Sequence, residues 1–454
     1  YLALNQEQKA LQALENAVQY EPGIVEYKLA LASLYRDLGR FQQSATLYEE
    51  LIKENPDNGE LNFNLIDLYI RLQDFEGAIR VLNNAEQNFG MHEAFSLQKY
   101  NLYGRLGNPE KALEELIRLA EKFPFESRYL YILGDVYLKL NQENKALEYY
   151  EKAHQSDPSD PQYAIAMVNY YLSKNDEQAI EKLFSELMEQ YSQEVELNRI
   201  YGNYLLSKNR LEEAKFQFRI ITETDPGDYD TWRNMLSIVL QEDNLEEVIS
   251  ICDNALIHFP EIPEFYFYKG IAFYQQGRYQ EALITYHEGL EHITNMNRAI
   301  ASGFYGQIGD VQYQIGDKEA AYEAYDKALE FNENNLLILN NYAYFLSLDK
   351  RELDKAERMS SRTIQAEPNN PTYLDTYAWI FYLKENYTLA KVYIESAINK
   401  GGGKSPEILE HYGDILFRVG QKEPAVREWK KALDLFTEDE DKIRLEEKIK
   451  NNTL

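Results

Sequence analysis

The chain is poor in cysteine, in long apolar runs and in basic residues, and each of these features is required by a particular class of protein. Its single cysteine, Cys252, excludes an internal disulfide framework and a cysteine-based metal cluster. It contains no apolar run of about 18 residues, the length that spans a bilayer, so we expect no direct membrane insertion. Basic residues are also scarce, because 47 Lys and Arg stand against 76 Asp and Glu, a net charge of 47 − 76 = −29. Nucleic acids and anionic lipid surfaces bind basic faces, so this charge argues against both as partners.

What the chain has in abundance is an internal repeat with a period of 34 residues. The repeats begin at Val25, Gly59, Glu93, Ser127, Pro161, Val195, Tyr229 and Pro263 and, after a slip of five residues at 297–301, at Ser302, Leu336, Pro371 and Pro406. Residues 1–24 match the back part of another repeat. We therefore expect twelve full repeats and one truncated repeat over the 454 residues.

Each repeat carries small residues at two fixed places. The eighth residue is often glycine or alanine, as at Gly134 and Gly270, and an alanine often follows twelve residues later, as at Ala146 and Ala282. Small residues at these places allow two helices to approach closely, while neighbouring aromatic rings fill the space between successive pairs. Apolar residues recur at the three- and four-residue spacing of an amphipathic helix. The pattern predicts an all-α chain of about 12–13 helix-turn-helix repeats, arranged as a right-handed superhelical solenoid.

The 13 prolines provide an independent check of this assignment. Each proline falls at a predicted helix end, where its missing backbone N–H costs nothing. A proline inside a helix would remove a hydrogen bond and break the helix, so a random scatter would contradict several of the predicted helices.

The phase of the repeat predicts how the chain is organised. Residues 1–24 form the truncated repeat, 25–296 an N-terminal block of eight repeats, and 302–439 a C-terminal block of four. The insertion at 297–301 is a candidate bend between the blocks, and a neutral surface insertion is an equally good explanation. Residues 440–454 are predicted to form an amphipathic helix that covers the last open face of the stack.

The spacing of small residues, aromatic residues and closing prolines resembles the tetratricopeptide repeat (TPR) over nearly the whole chain. A narrower resemblance, to the long TPR lipoproteins of Bacteroidetes-type bacteria, rests on EFYFYKGIAFYQ, LNNYAYFLS, EPNNPTYLDTYAWI, and HYGD followed by REWKKAL. This resemblance implies a signal peptide and a lipidated cysteine upstream of Tyr1. It also implies a place on the periplasmic face of the bacterial cell envelope. A cytoplasmic chain with a start codon just before Tyr1 is the alternative.

One short string resembles a catalytic motif. Zinc peptidases use two histidines four residues apart, so that both lie on one helix face with a glutamate between them. In HEGLEH, His287 and His292 are five residues apart around Glu288, which rotates the second by about 140° on a regular helix. A zinc metallopeptidase is therefore a distant alternative. We predict no enzyme activity, no metal and no cofactor.

The concave face of the stack is the predicted binding surface. The fifth, ninth and twelfth residues of each first helix point to this face, and in the later repeats they become aromatic and lie beside acids. The predicted groove residues are Phe267, Tyr274, Asp310, Tyr313, Tyr344, Asp375, Trp379, Tyr382, Asp414 and Phe417. Aromatic anchors beside carboxylates suit an extended or helical peptide with apolar and basic side chains. The alternative is that these rings mostly pack against neighbouring helices.

A second candidate site would hold a carboxylate terminus. Some TPR proteins bind the end of a chaperone tail with a basic fifth residue, an asparagine ninth residue and an asparagine at the sixth place of the next repeat. Arg199, Asn203 and Asn234 occupy these places, and their side chains suit a carboxylate. The basic residues expected in the following repeat are replaced by Glu264 and Tyr268, and the alternative is that Arg199 pairs with a neighbouring acid.

These observations together predict a non-catalytic scaffold whose concave groove binds a protein or peptide partner. By resemblance, we expect it to be the lipid-anchored, periplasmic part of a bacterial envelope complex. A cytoplasmic TPR adaptor or co-chaperone that recognises peptide tails is the alternative.

Overall fold

The fold is known from a computed structural model, which describes residues 7–294, 299–451 and 453. Over these residues it contains α-helices, a short 3-10 turn at Gly402–Lys404, and no strand. The helices are α1 (Glu7–Tyr20), α2 (Val25–Asp37), α3 (Phe41–Glu54), α4 (Gly59–Arg71), α5 (Phe75–Phe89), α6 (Glu93–Arg105), α7 (Pro109–Lys122), α8 (Ser127–Lys139), α9 (Glu143–Ser156), α10 (Pro161–Lys174), α11 (Glu177–Gln190), α12 (Val195–Ser207), α13 (Leu211–Thr224), α14 (Tyr229–Gln241), α15 (Leu245–His258), α16 (Pro263–Gln275), α17 (Tyr279–Glu291), α18 (Ile300–Ile315), α19 (Lys318–Phe331), α20 (Leu336–Leu348), α21 (Leu353–Ala366), α22 (Pro371–Leu383), α23 (Tyr387–Asn399), α24 (Pro406–Arg418), α25 (Lys422–Leu435) and α26 (Asp439–Asn451). The predicted all-α class is confirmed.

Consecutive helices pack as pairs, and each pair is one repeat. The first helix of almost every repeat begins at the residue where the sequence period places it; the exception is α18, which begins at Ile300 and not at Ser302. The contacts divide the chain into two compact units, Tyr1–Tyr201 and Gly202–Leu454. Part of the predicted insertion at 297–301 lies outside the described residues, so the division into blocks at that point stays a prediction.

At each end of the chain, a helix lies where the sequence predicts one, and a few residues lie outside the described part. In the predicted truncated repeat, α1 occupies Glu7–Tyr20, and residues 1–6 lie outside the described part. The predicted capping helix corresponds to α26, while residues 452 and 454 are again outside the described part. None of the helices that the structure describes is both long enough and apolar enough to cross a membrane.

Local side chains determine where many helices begin. An Asn, Asp or Ser side chain accepts a hydrogen bond from a backbone N–H in the first turn, which satisfies a donor that the helix itself leaves unpaired. Capping residues of this kind are Asn58, Asp74, Asn108, Asp160, Asp176, Asp228, Asn244, Asp317, Asn335, Asn370, Asn386 and Ser405. The prolines that open repeats, such as Pro161 and Pro371, occupy the first turn as expected.

A ring packed on a glycine joins the two helices of several repeats. Where the eighth residue is glycine, the facing residue of the second helix, sixteen places later, is aromatic. The pairs are Gly134 with Tyr150, Gly202 with Phe218, Gly270 with Tyr286, Gly309 with Tyr325, and Gly413 with Trp429. A Cβ on Gly309 would lie 2.7 Å from Cε1 of Tyr325, closer than real Cβ atoms approach. Where the eighth residue is the larger Leu236, the facing place holds the small Cys252, which keeps the filled volume similar.

In three of these repeats, the O–H or N–H group of the ring also donates a hydrogen bond. An aspartate directly follows the glycine and accepts a hydrogen bond from the ring fifteen residues later. The pairs are Tyr150 to Asp135 at 2.8 Å, Tyr325 to Asp310 at 2.5 Å, and Trp429 Nε1 to Asp414 at 2.9 Å. These rings are almost fully buried, so the hydrogen bond removes the cost of burying their polar atoms.

Enlarging Gly270 tests this contact. Gly270→Leu is expected to destabilise the C-terminal compact unit by about 1–3 kcal/mol or more, because the new side chain overlaps the ring of Tyr286. Thermal unfolding followed by circular dichroism measures the effect. Gly104→Ala is the control: a Cβ there meets nothing within 4 Å, so a small stabilisation of about 0.5–1 kcal/mol is expected. An unchanged melting curve for Gly270→Leu would contradict the assigned contact.

Candidate functional site

The aromatic residues of the predicted groove lie on successive first helices of the C-terminal compact unit. We call them the aromatic face. They are Phe267 and Tyr274 on α16, Tyr313 on α18, Tyr344 on α20, Trp379 and Tyr382 on α22, and Phe417 on α24. All seven are half-buried. Each successive pair of these first helices is in contact, so the rings lie on adjacent elements.

Several of these rings also join one repeat to the next. Phe267 meets Phe304 edge-on with ring centroids 5.1 Å apart, and Tyr313 stacks on Phe345 at 4.0 Å. In both pairs the second ring belongs to the first helix of the following repeat. The rings therefore contribute to packing between repeats, while their half-buried state leaves part of each ring accessible. Whether they form a binding groove stays a prediction.

Trp379 is the most unusual member of the aromatic face. Its indole stacks between Tyr382 at 4.6 Å and His411 at 4.0 Å, with interplanar angles of 12° and 17°. Its Nε1 atom is buried and has no hydrogen-bond acceptor among the described residues. A buried donor without an acceptor costs about 1–3 kcal/mol. The other two tryptophans differ, because Trp232 donates to the Pro226 carbonyl and Trp429 to Asp414.

The three aspartates predicted for the groove are buried and accept hydrogen bonds from the chain itself. Asp375 lies 2.9 and 3.1 Å from Nδ1 of His411, which belongs to the next repeat. Burial alone would lower the pKa of His411, but the adjacent Asp375 carboxylate outweighs this effect and the pKa is raised. A basic group of a partner would therefore meet carboxylates that already have donors.

Asp310, the second of these buried acids, accepts hydrogen bonds from uncharged groups. It accepts hydrogen bonds from the Tyr325 hydroxyl at 2.5 Å and from Nδ2 of Asn341 at 3.3 Å. Burial raises the pKa of Asp310 to about 6, although these two hydrogen bonds act in the opposite direction.

Asp414 is held by the capping helix α26 as well as by Trp429. Lys448 Nζ lies 2.8 and 3.0 Å from the two Asp414 oxygens, and it also donates to Glu410 at 2.7 Å. Arg444 donates to Glu410 at 2.7 Å. The pKa of Asp414 is raised by burial, with Lys448 opposing the shift. Neither Arg444, Lys448 nor His411 was predicted as a site residue.

The environment of Tyr344 shows the net electrostatic character of this region. Its pKa is raised to about 12, first by burial and then by the negative charges of Asp375, Glu407 and Glu410. Tyr274 is similar: burial and the charge of Asp310 raise its pKa. The aromatic face therefore lies in a region of negative potential.

The residues of the second candidate site have partners of their own. Within the N-terminal compact unit, Arg199 Nε donates to Glu196 at 3.0 Å. Arg199 therefore pairs with a neighbouring acid, as the alternative to a carboxylate site predicts. In the C-terminal compact unit, Asn234 donates to Asn203 at 3.2 Å. Binding of a carboxylate terminus at Arg199, Asn203 and Asn234 stays a prediction.

The HEGLEH string is divided by a helix end. His287 lies in α17, whereas His292 follows the last residue of that helix and stacks on Tyr266 at 5.3 Å. In the described part of the chain, no three His, Cys, Asp or Glu residues are grouped as metal ligands.

Comparison with known proteins identifies the repeat. One family model of the tetratricopeptide repeat matches residues 29–90, 97–161 and 252–291, and a second matches 302–335. A TPR repeat-containing protein of Methanocaldococcus jannaschii is 26% identical over 187 residues, which are 37% of this chain. The chain matches about a third of that relative's length, 31%.

Two solved structures show comparable similarity. A tetratricopeptide repeat protein from Parabacteroides merdae is 18% identical with a TM-score of 0.45, over 59% of this chain and 98% of that chain. Naa15/Naa10 bound to HypK-THB is 15% identical with a TM-score of 0.45, over 99% of this chain and 71% of that chain.

Replacing Asp310 tests its burial. As pH falls from 7 to 5, Asp310 takes up a proton in the folded chain, whereas the unfolded chain, with an ordinary aspartate pKa, does not. The folded state therefore binds more protons, and wild type gains stability relative to Asp310→Asn. The gain is about 1 kcal/mol over this window.

The free energy of unfolding, measured by urea denaturation of both chains at pH 7 and pH 5, gives the difference. The matched control is Asp434→Asn, which makes the same substitution at an exposed position. A pH-independent difference between wild type and Asp310→Asn would show that this carboxyl is not buried.

Proposed function

We propose that this chain, which belongs to the tetratricopeptide-repeat proteins, is a non-catalytic scaffold that binds a protein segment on its aromatic face. The repeats support a role in protein–protein interaction, since stacked helix pairs present extended surfaces to partners. The segment we infer is extended or helical and carries apolar and basic side chains.

The observation that carries this proposal is the state of Trp379. Its indole is half-buried, and its N–H is without an acceptor in the described part of the chain. Phenylalanine could make similar stacking contacts with Tyr382 and His411 without this cost, so stability alone does not favour tryptophan. Tryptophan and tyrosine are the residues that most often anchor protein interfaces, and the aromatic face has both.

Charge supports the basic character of the partner. Asp310 and Asp375 are buried, and burial together with the charges of nearby carboxylates raises the pKa of Tyr344. The net charge of −29 adds a long-range attraction for cationic segments. Because the aspartates already accept hydrogen bonds, this attraction acts mainly through the potential and less through new ion pairs.

The pairing of the titratable groups favours a scaffold over an enzyme. Asp310 accepts from Tyr325, Asp375 pairs with His411, and Asp414 pairs with Lys448. Groups held in such pairs stabilise the packing of helices, whereas a catalytic acid or base needs access to a substrate.

We infer the location from the sequence resemblance alone. That resemblance favours the bacterial envelope, with a lipid anchor upstream of Tyr1, and the alternative is a cytoplasmic adaptor or co-chaperone. The gene upstream of Tyr1 distinguishes the two: an apolar leader that ends in a lipid-accepting cysteine agrees with the envelope, and an adjacent start codon contradicts it.

Removing two rings of the aromatic face tests the proposal. In a pull-down from membrane and soluble fractions of the native host, Tyr344→Ala/Trp379→Ala is expected to lose a partner that wild type captures. The expected loss of affinity is at least tenfold, because interface anchors contribute about 2 kcal/mol or more each.

The matched control is Tyr393→Ala on α23, a half-buried ring on the second helix of the Trp379 repeat. This variant should retain the partner. Circular dichroism must show that all three chains are folded. Equal capture by the wild type and the double variant would move the binding surface away from the aromatic face.

A further inference from the structure

The capping helix α26 is held in place by one narrow face. Arg444 and Lys448 are four residues apart, so they lie on the same side of α26 with Leu445 beside them. Arg444 donates to Glu410, and Lys448 to Glu410 and Asp414, at 2.7–2.8 Å. Leu445 is fully buried at 0% exposure. Two cations, the buried Leu445 and the half-buried Ile449, which packs against the same core, therefore attach this helix.

These contacts lie at the end of the predicted groove. Glu410 and Asp414 are the fifth and ninth residues of their repeat, the places predicted to point to the concave face. The positive charge of Arg444 opposes the raised pKa of Tyr344, and that of Lys448 opposes the raised pKa of Tyr382. Arg444 and Lys448 are thus near enough to rings of the aromatic face to affect their pKa values.

We propose that α26 occupies this surface as an internal ligand that a partner can displace. The side chains by which α26 binds indicate the chemistry of that partner. The partner segment is a helix that presents an arginine and a lysine four residues apart beside a leucine, and it binds Glu410 and Asp414 after α26 leaves. This inference rests on the proposed function, because it specifies the partner and the regulation of the same face.

The contacts that hold α26 are few enough for another helix to replace it. Leu445 is its only residue that is buried among those the structure describes; Ile449 is half-buried against the same core, and Ile443 is 59% exposed. By contrast, α24 buries seven residues, including Glu410 and Asp414. The short link at 436–438 keeps α26 at an effective concentration of about millimolar near its site, so a free helix of equal affinity competes poorly.

Charge complementarity identifies the occupant. With α26 in place, Glu410 and Asp414 are only 6–7% exposed, and Arg444 and Lys448 of α26 pair with them. Departure of α26 removes these pairs and leaves two neighbouring carboxylates on the vacated surface, which therefore favours another cationic helix over a neutral one.

The test uses α26 itself as the probe. A fluorescein-labelled synthetic peptide with the sequence of residues 437–451 is titrated into the wild-type chain and into Arg444→Gln/Lys448→Gln, with binding measured by fluorescence anisotropy. The variant weakens the resident helix but keeps Leu445. We expect it to bind the probe at least about tenfold more tightly than wild type does.

Two controls isolate the mechanism. Lys442→Gln/Lys450→Gln makes the same charge change elsewhere on α26, and it should bind the probe as wild type does. A probe that carries glutamine at both cationic places should not bind the Arg444→Gln/Lys448→Gln chain. Equal binding of the unmodified probe to wild type and to the Arg444→Gln/Lys448→Gln chain would overturn the proposal.

Hydrogen exchange of wild type gives a test that needs no variant. A displaceable α26 exchanges its amides faster than α24 does, whereas a helix that is integral to the last repeat exchanges together with α24, which would also overturn the proposal.

These outcomes are separable from failure of the proposed function. If the probe does not bind but Tyr344→Ala/Trp379→Ala still loses its partner, α26 is only a cap and the scaffold stands.

Discussion

The close packing of an aromatic ring on a glycine is the contact on which the candidate site depends. In the Gly309 repeat, the ring of Tyr325 lies where a side chain at residue 309 would be, so the two helices approach closely. The hydroxyl of the same ring donates to Asp310, the next residue of the first helix. One pair of residues thus sets the separation of the helices and fixes the position of a groove carboxylate. The same arrangement recurs at Gly413, Trp429 and Asp414.

This constraint explains why acids and rings occur together in the last repeats. The aspartates serve as buried acceptors, while rings such as Tyr344 and Trp379 remain half-buried in the negative potential of nearby carboxylates. Asp375 binds His411, and Asp414 binds Lys448 of α26. The side chains that stabilise the stack are therefore also the ones on which the proposed preference for apolar and basic groups of a partner rests.

The period of the sequence predicts the fold in detail but the site only in part. Small residues and prolines mark packing and helix ends, which are local, so the first helices begin where the period places them, with Ile300 as the exception. The partners of the acids lie elsewhere in the chain. Tyr325 follows Asp310 by fifteen residues within one repeat, so this spacing in the sequence indicates the hydrogen bond between them. The stacking of His411 on Trp379 depends on how two repeats meet, and the sequence period does not specify this contact.

Contact between a partner and the aromatic face can be detected by site-specific photocrosslinking in the native host. A photoreactive phenylalanine analogue replaces Trp379 in one chain and Tyr393, on the second helix of the same repeat, in another. We expect a crosslinked partner from residue 379 and none from residue 393, with a cationic segment at the crosslink. A crosslink from residue 393 alone would place the partner on the second helices and contradict binding at the aromatic face.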